Sequence, residues 1–293
     1  AVADQTVSAT TTDDDVAGFT IAETGGSTSV AETGTTDTFT IVLNAQPTSD
    51  VVLTITSSDT GEATVNSPLT FTAANWNTPQ TVTVTGADDN LVDGTLASTI
   101  TVAVDDANSD NNFDPVADQT VSATTTDDDV AGFTVTETGG STAVAESGTT
   151  DTFTVVLTAQ PTSDVVLSTS PEDPDEASVA PSSLTFTPAN WNTPQTVTVT
   201  GVDESVVDGD QISNISVGVL DAASDDSFDV LADQTVAVTT TDNDVAGFTI
   251  VETGGSTSVD ESGTTDTFTV VLNAQPTSNV VLTITSSDTG EAT

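Results

Sequence analysis

Residues 74–86, ANWNTPQTVTVTG, return letter for letter at 189–201, and residues 52–64, VLTITSSDTGEAT, return at 281–293. Gly18-Phe19 recurs as Gly132-Phe133 and again as Gly247-Phe248, so the period is 114 to 115 residues. The one extra residue of the longer copy falls between Val179 and Leu184, where Val65 to Leu69 is shorter by one. Solenoid units of roughly 20–50 residues bury their apolar face only against neighbours, whereas a unit of about 115 residues is long enough to own a core. The chain therefore reads as beads on a string. Residues 1–15 are the last strand and linker of a preceding repeat, 16–129 and 130–244 are complete repeats, and 245–293 is the N-terminal part of a third. It opens at Ala1 with no signal-peptide pattern, as expected of a segment from the interior of a longer protein.

Within a repeat the pattern is period 2. Phe39, Ile41 and Leu43 alternate with Thr38, Thr40 and Val42, and Val82 and Val84 alternate with Thr81, Thr83 and Thr85. Strict alternation gives a strand one dry face and one wet face, and β-branched Thr, Val and Ile suit it. Turn residues divide repeat 1 into seven strands: A at 18–23, B at 37–43, C at 51–56, D at 63–71 with an interruption at Ser67-Pro68, E at 80–85, F at 98–104 and G at 119–126. Gly25-Gly26 and Gly139-Gly140 are expected to split strand A with a bulge. No helical period occurs. The fold class is all-β, a tandem array of immunoglobulin-like antiparallel sandwiches with seven strands each.

The charge is one-sided. There are 46 Asp and Glu residues and no Lys, Arg or His, a formal net charge of −46, with Cys, Met and Tyr also absent. Nucleic-acid binding runs on Lys and Arg neutralising phosphate, so a chain without either does not bind it, and anionic lipid is excluded on the same ground. No run of 18 apolar residues exists to insert in a membrane. Without Cys there are no disulfides and no thiolate metal sites. Without His, Lys, Cys or Tyr there is no ordinary base or nucleophile, so the chain is not read as an enzyme.

Consecutive antiparallel strands run up and down in turn, so the A/B, C/D and E/F loops and the exit from G share one pole. The acids gather there. Repeat 1 sends Glu32, Asp59, Glu62, Asp88, Asp89, Asp93, Asp127, Asp128 and Asp129 to that pole. Repeat 2 sends Glu146, Asp173, Glu176, Asp203, Glu204, Asp208, Asp242 and Asp244, with Asn243 where the first copy has Asp128, and the third fragment keeps Glu261, Asp288 and Glu291. Two carboxylates ~5 Å apart repel by about 3 kcal/mol at an effective dielectric of 20, so such a cluster requires a cation. Many hard oxygen donors on flexible loops, with no imidazole or thiolate, select Ca²⁺. Asp13, Asp14 and Asp15 are expected to hold calcium at the preceding junction; the F/G-loop acids Asp105, Asp106, Asp110, Asp114 and Asp118 read first as a solvated loop at the opposite pole and second as completing such a junction site.

The segment TTDDDVAGFT, with VAETG, SSDTGEA and the LTFT then TVTVTGADDNLVDG run, resembles the Calx-beta domain, a calcium-binding sandwich of sodium/calcium exchangers and large surface adhesins. The resemblance spans each repeat. It implies that Glu32, Glu62, Asp88, Asp89, Asp93 and Asp127 to Asp129 bind calcium. The E/F loop departs from the family, which commonly carries several Glu where this chain has Asn90-Leu91-Val92. Repetition, acidity and resemblance together describe a structural protein of the extracellular or cell surface: a calcium-stiffened stalk or filament whose partners are calcium ions, neighbouring repeats and, in a lateral filament, other copies.

Two other readings stand beside it. An array of glycan- or ligand-binding modules would use Trp76 and Trp191, and a calcium sensor would follow from the exchanger resemblance. Salt adaptation also yields acidic surfaces, but spreads acids over outward strand faces, which here carry Thr.

Overall fold

Alternating Thr and Val give a strand a side that must leave water, and in the two complete sandwiches of the computed structural model, which describes residues 2–292, that side faces an inter-sheet core. Residues 1 and 293, the outer ends of the two terminal segments expected from the sequence, lie outside the described residues. The chain divides into two units after Val130.

Unit 1 contains β1 (Phe19–Glu23), β2 (Thr28–Ala31), β3 (Thr36–Leu43), β4 (Val51–Ser57), β5 (Ala63–Val65), β6 (Leu69–Phe71), β7 (Gln80–Gly86), β8 (Leu96–Val104) and β9 (Gln119–Thr126). One sheet has the order β1-β3-β7-β5 and the other β2-β9-β8-β4-β6. Seven predicted strands thus appear as nine segments, because two of them change sheet. Strand A does so at Gly25 and Gly26, whose φ values of +77° and +87° a side chain would resist. Its second half, β2, then lies parallel to β9, with Ala31 opposite Thr126. Strand D changes sheet at Ser67-Pro68, leaving β5 beside β7 and β6 beside β4.

Phe39, Ile41, Leu53, Phe71, Val82, Val84, Ile100 and Val102 fill the core between the sheets. Each such side chain contributes about 1.5–3 kcal/mol by leaving water. Trp76 packs on the edge of this core while its carbonyl accepts from the Leu43 amide at 3.1 Å, so it works as packing and loop anchor. Residues 5–12 repeat the β9 sequence QTVSATTT but form no strand, the place beside β2 and β8 being held by β9 itself.

Unit 2 repeats the plan with β10 (Phe133–Glu137), β11 (Thr142–Ala145), β12 (Thr150–Leu157), β13 (Val165–Pro171), β14 (Ala177–Ala180), β15 (Ser183–Phe186), β16 (Gln195–Gly201), β17 (Val206–Val207), β18 (Gln211–Val219) and β19 (Gln234–Thr241). Its sheets are β10-β12-β16-β14 and β11-β19-β18-β13-β15. It continues into β20 (Phe248–Glu252), β21 (Phe268–Leu272) and β22 (Gln275–Pro276). The β20–β21 pair sets Phe248 opposite Leu272, the register in which Phe19 meets Leu43 and Phe133 meets Leu157. Among the described residues helix is confined to single 3₁₀ turns, and no helix is long and apolar enough to cross a membrane.

Candidate metal centre

The pole is assembled by backbone before any carboxylate is considered. The Glu32 amide donates to the Thr126 carbonyl at 3.1 Å, so the A/B loop continues the parallel β2–β9 ladder past its last pair. The Glu62 carbonyl accepts from the Ala87 amide at 2.9 Å and the Thr125 hydroxyl at 3.2 Å, tying the C/D loop to the ends of β7 and β9. Gly86 lets β7 close over the A/B loop, since a Cβ there would sit 2.0 Å from the Ala31 carbonyl oxygen. Asp127 closes the ring: one carboxylate oxygen accepts from the Asp93 and Gly94 amides at 3.1 and 2.8 Å, the other from the Asp129 amide at 2.6 Å. Asp127 thereby pins the E/F loop to the exit of β9.

Into this frame point carboxylates that nothing in the protein satisfies. Oxygens of Glu32, Asp89 and Asp129 lie within 4.8 Å of one another, and so do those of Glu32, Glu62 and Asp93. Glu32 joins both groups. It is 0% exposed and neither of its carboxylate oxygens has a hydrogen-bond partner; one oxygen each of Glu62, Asp93 and Asp129 is also buried without a partner. The Asp128 amide faces Glu32 and eases its charge more than any single neighbouring acid raises it, though it falls outside hydrogen-bond geometry. In unit 2, Glu146, Glu176, Glu204 and Asp208 form one such group and Glu146, Asp242 and Asp244 another. Glu146 is 1% exposed; the Asn243 amide donates to one of its oxygens at 3.0 Å, and the other has no partner.

Burial, first, and then neighbouring negative charge push these groups toward their protonated forms. The Glu32 carboxyl rises to about 7, through loss of water and then the fields of Asp127, Asp89 and Glu62. Glu176 likewise reaches about 7, through burial and then Asp208, Glu146, Asp173 and Glu204. Glu62, Asp93, Asp129 and Glu146 are raised as well, with burial the leading cause in each. Burying an ionised carboxylate without a partner costs several kcal/mol, so at neutral pH such an arrangement either keeps protons on its acids or takes up a cation. Every grouped donor is a carboxylate oxygen, and three or four carboxylates converge in each group, which fits Ca²⁺.

The runs of consecutive acids enter this site in alternation. Asp89 points in and Asp88 is exposed; Asp127 and Asp129 face the pole and Asp128 is exposed; Glu204 points in and Asp203 is exposed, held by the Asn243 amide side chain at 3.3 Å. An extended backbone turns successive side chains to opposite sides, so Asn243 in the place of Asp128 removes no inward carboxylate. Asp88, Asp128 and Asp203 thus stay outside the grouped carboxylates, as do Asp13, Asp14 and Asp15, which are exposed, with Asp13 accepting from the Asp15 amide. Asp59 and Asp173 cap their own turns through the Gly61 and Asp175 amides.

Two features carry no signal in the sequence. Asp210, where repeat 1 has Thr95, accepts from the Asp242 amide at 3.3 Å. Asp110, on the acidic F/G loop, is 3% exposed and accepts from the Thr48 amide and hydroxyl at 2.6 Å each, and from the Ser49 and Asn112 amides at 3.0 Å. These bonds draw its carboxyl far below the usual range and fasten the F/G loop to the B/C loop. Asp225 does the same through Thr162, Ser163 and Ser227.

No protein-family model matches the sequence, and no curated protein matches it. Among solved structures, the chain is similar to calcium-binding domain CBD12 of CALX1.1 at 14% identity, covering 68% of this chain and 78% of that one with a TM-score of 0.28. It is similar to domains 4 and 5 of the S-layer protein SbsC at 17% identity, covering 64% and 76% with a TM-score of 0.31. Domains 1–6 of SbsC align at 14% identity over 87% of this chain and 36% of that one, with a TM-score of 0.33. These scores lie below the range that relates one fold to another, so the function of the pole is read from its own residues.

Proposed function

We propose that the chain is a structural segment of a cell-surface protein, a stalk or filament of tandem β-sandwiches stiffened by calcium at one pole of each sandwich. The observation that carries this reading is the buried, unpartnered carboxylate set centred on Glu32 and repeated at Glu146. In unit 1, Glu32, Glu62, Asp89, Asp93 and Asp129 would hold the ion, with Asp127 orienting the loops. In unit 2 the holders would be Glu146, Glu176, Glu204, Asp208, Asp242 and Asp244.

The link to stiffness is the position of Asp129. It lies in the segment between β9 and β10, yet its carboxylate groups with Glu32 and Asp89 of the sandwich it is leaving. A cation there fastens the connecting segment to the pole, and its removal leaves a short acidic linker that repels its surroundings. Repetition suits a spacer, because each added copy adds length and needs no new chemistry.

Calorimetric melting of the chain in Ca²⁺, in Mg²⁺ and in chelator, at one ionic strength, tests the metal. A ligand that binds only the native state adds about 2.7 kcal/mol at 100 times its Kd, so Ca²⁺ should raise both units' transitions by several degrees and Mg²⁺ by less. Transitions unmoved by Ca²⁺ would replace the metal with salt adaptation.

A further inference from the structure

The E/F loop of unit 2 carries Asp203 and Glu204 on one side and Asp208 on the other, and between them it has Ser205, Val206 and Val207. An apolar pair amid ligands serves no purpose in holding a cation. These two valines form β17, which pairs in parallel with β22: Val206 stands opposite Gln275 and Val207 opposite Pro276. The Gln275 amide donates to the Ser205 carbonyl at 2.6 Å. Val207 lines an apolar hollow with Phe248, Leu272, Pro276 and Val280, all residues of the next repeat in the sequence. On its inner side the same loop is tied to the carboxylate set, since the Val206 amide donates to the Glu204 carboxylate at 2.9 Å and Glu204 groups with Glu146, Glu176 and Asp208.

We propose that Ser205–Val207 is a docking strand for the Ala-Gln-Pro-Thr-Ser loop of the following repeat, and that the acids flanking it make docking depend on the cation. The inference rests on the calcium reading of the pole. Both halves of the joint recur in the sequence. The loop reads Asp-Asp-Asn-Leu-Val-Asp at 88–93 and Asp-Glu-Ser-Val-Val-Asp at 203–208, keeping two apolar residues between acids. Ala-Gln-Pro-Thr-Ser stands at 45–49, 159–163 and 274–278. Each copy thus has what it needs to receive its predecessor.

The joint is small by construction. The strand pairing is only two residue pairs long, Pro276 has no amide hydrogen to lengthen it, and its two valines are half-buried. Such a contact holds only while Ser205–Val207 keeps its shape. With the cation absent, Glu204 and Asp208 repel each other and Glu146 and Glu176 from within 4.8 Å, and the loop between them spreads. With the cation bound, both flanks are drawn to one point and the strand is presented.

Amide hydrogen exchange of the ¹⁵N-labelled 293-residue chain reads this directly, with calcium binding measured in parallel by titration calorimetry. The Gln275 amide should exchange up to about tenfold more slowly in Ca²⁺ than in chelator, the range set by one net hydrogen bond. The Asn273 amide, which bonds to Gly247 inside the following repeat at 2.9 Å, should change little and serves as control. Val207→Ser, which adds no charge beside Asp208, should leave calcium binding in place and weaken the calcium-dependent protection of Gln275. Calcium binding with no change at Gln275, or an equal change at Asn273, overturns the docking strand and leaves the metal reading standing. Absence of calcium binding overturns both.

Discussion

Replacing Glu32 by Gln should stabilise the metal-free chain and destabilise the calcium-loaded one. In chelator the wild-type carboxylate is 0% exposed, unpartnered at both oxygens and surrounded by other acids. A carboxyl held at about 7 in place of 4.5 burdens the folded state, when ionised, by about 3 kcal/mol. Water at the rim of the pole screens part of this, leaving about 1–2 kcal/mol. The sign follows from proton binding: the folded chain keeps the Glu32 proton to higher pH than the unfolded chain. Metal-free stability therefore falls as pH rises from about 4.5 to about 7, and Glu32→Gln flattens that window. In Ca²⁺ the order inverts, since Gln supplies a weaker ligand. Trp76 reports on unit 1 once Trp191→Phe has silenced unit 2, so urea unfolding followed by fluorescence at about pH 8 in chelator and in Ca²⁺ gives both differences. A Gln variant less stable than wild type in chelator would show that Glu32 is compensated, and the argument for a cation would fail.

Other expectations concern the frame. Asp110→Asn should cost about 2–4 kcal/mol with or without Ca²⁺, because one amide oxygen replaces a carboxylate that accepts four hydrogen bonds; chemical denaturation at about pH 7 reads it. Since the Asp110 carboxyl is depressed in the folded state, its stabilisation is complete above about pH 4 and drains as pH falls further, so the variant should lose the steepest part of the acid limb. Gly86→Ala should destabilise unit 1 by more than about 2 kcal/mol and weaken its calcium binding, as a Cβ 2.0 Å from the Ala31 oxygen pushes β7 off the loop that presents Glu32; melting and calorimetric titration together check both effects.

The strands were legible because Thr and Val alternate without interruption: the predicted segment at 119–126 is β9, and that at 80–85 falls one residue short of β7. The pole was legible because antiparallel connectivity alone sends alternate loops to one end. Sheet-switching by strand D was visible only as an interruption at Ser67-Pro68, since a break in period does not say where the chain resumes. Which acid of a run faces inward depends on the phase of the extended backbone, set by tertiary bonds such as Asp127 to Asp93, so the sequence showed the run and not the alternation. Asp110 read as one more loop acid because its partners Thr48 and Ser49 are about 60 residues away. Leu91 and Val92, the repeat 1 counterparts of Val206 and Val207, read only as a departure from the resembled family, and the strand partner of Val206 and Val207 lies in another copy of the repeat.

Stiffening is the central claim, and small-angle scattering of the 293-residue chain in Ca²⁺ and in chelator at equal ionic strength tests it most directly. The linker carboxylate of Asp129 and the loop acids Glu204 and Asp208 belong to the proposed ion-holding groups, so Ca²⁺ should give a longer, narrowly distributed maximum dimension. Chelator should give a shorter and broader one, with the β circular-dichroism signal kept. Equal maximum dimensions and equal spreads in the two solutions would contradict the account.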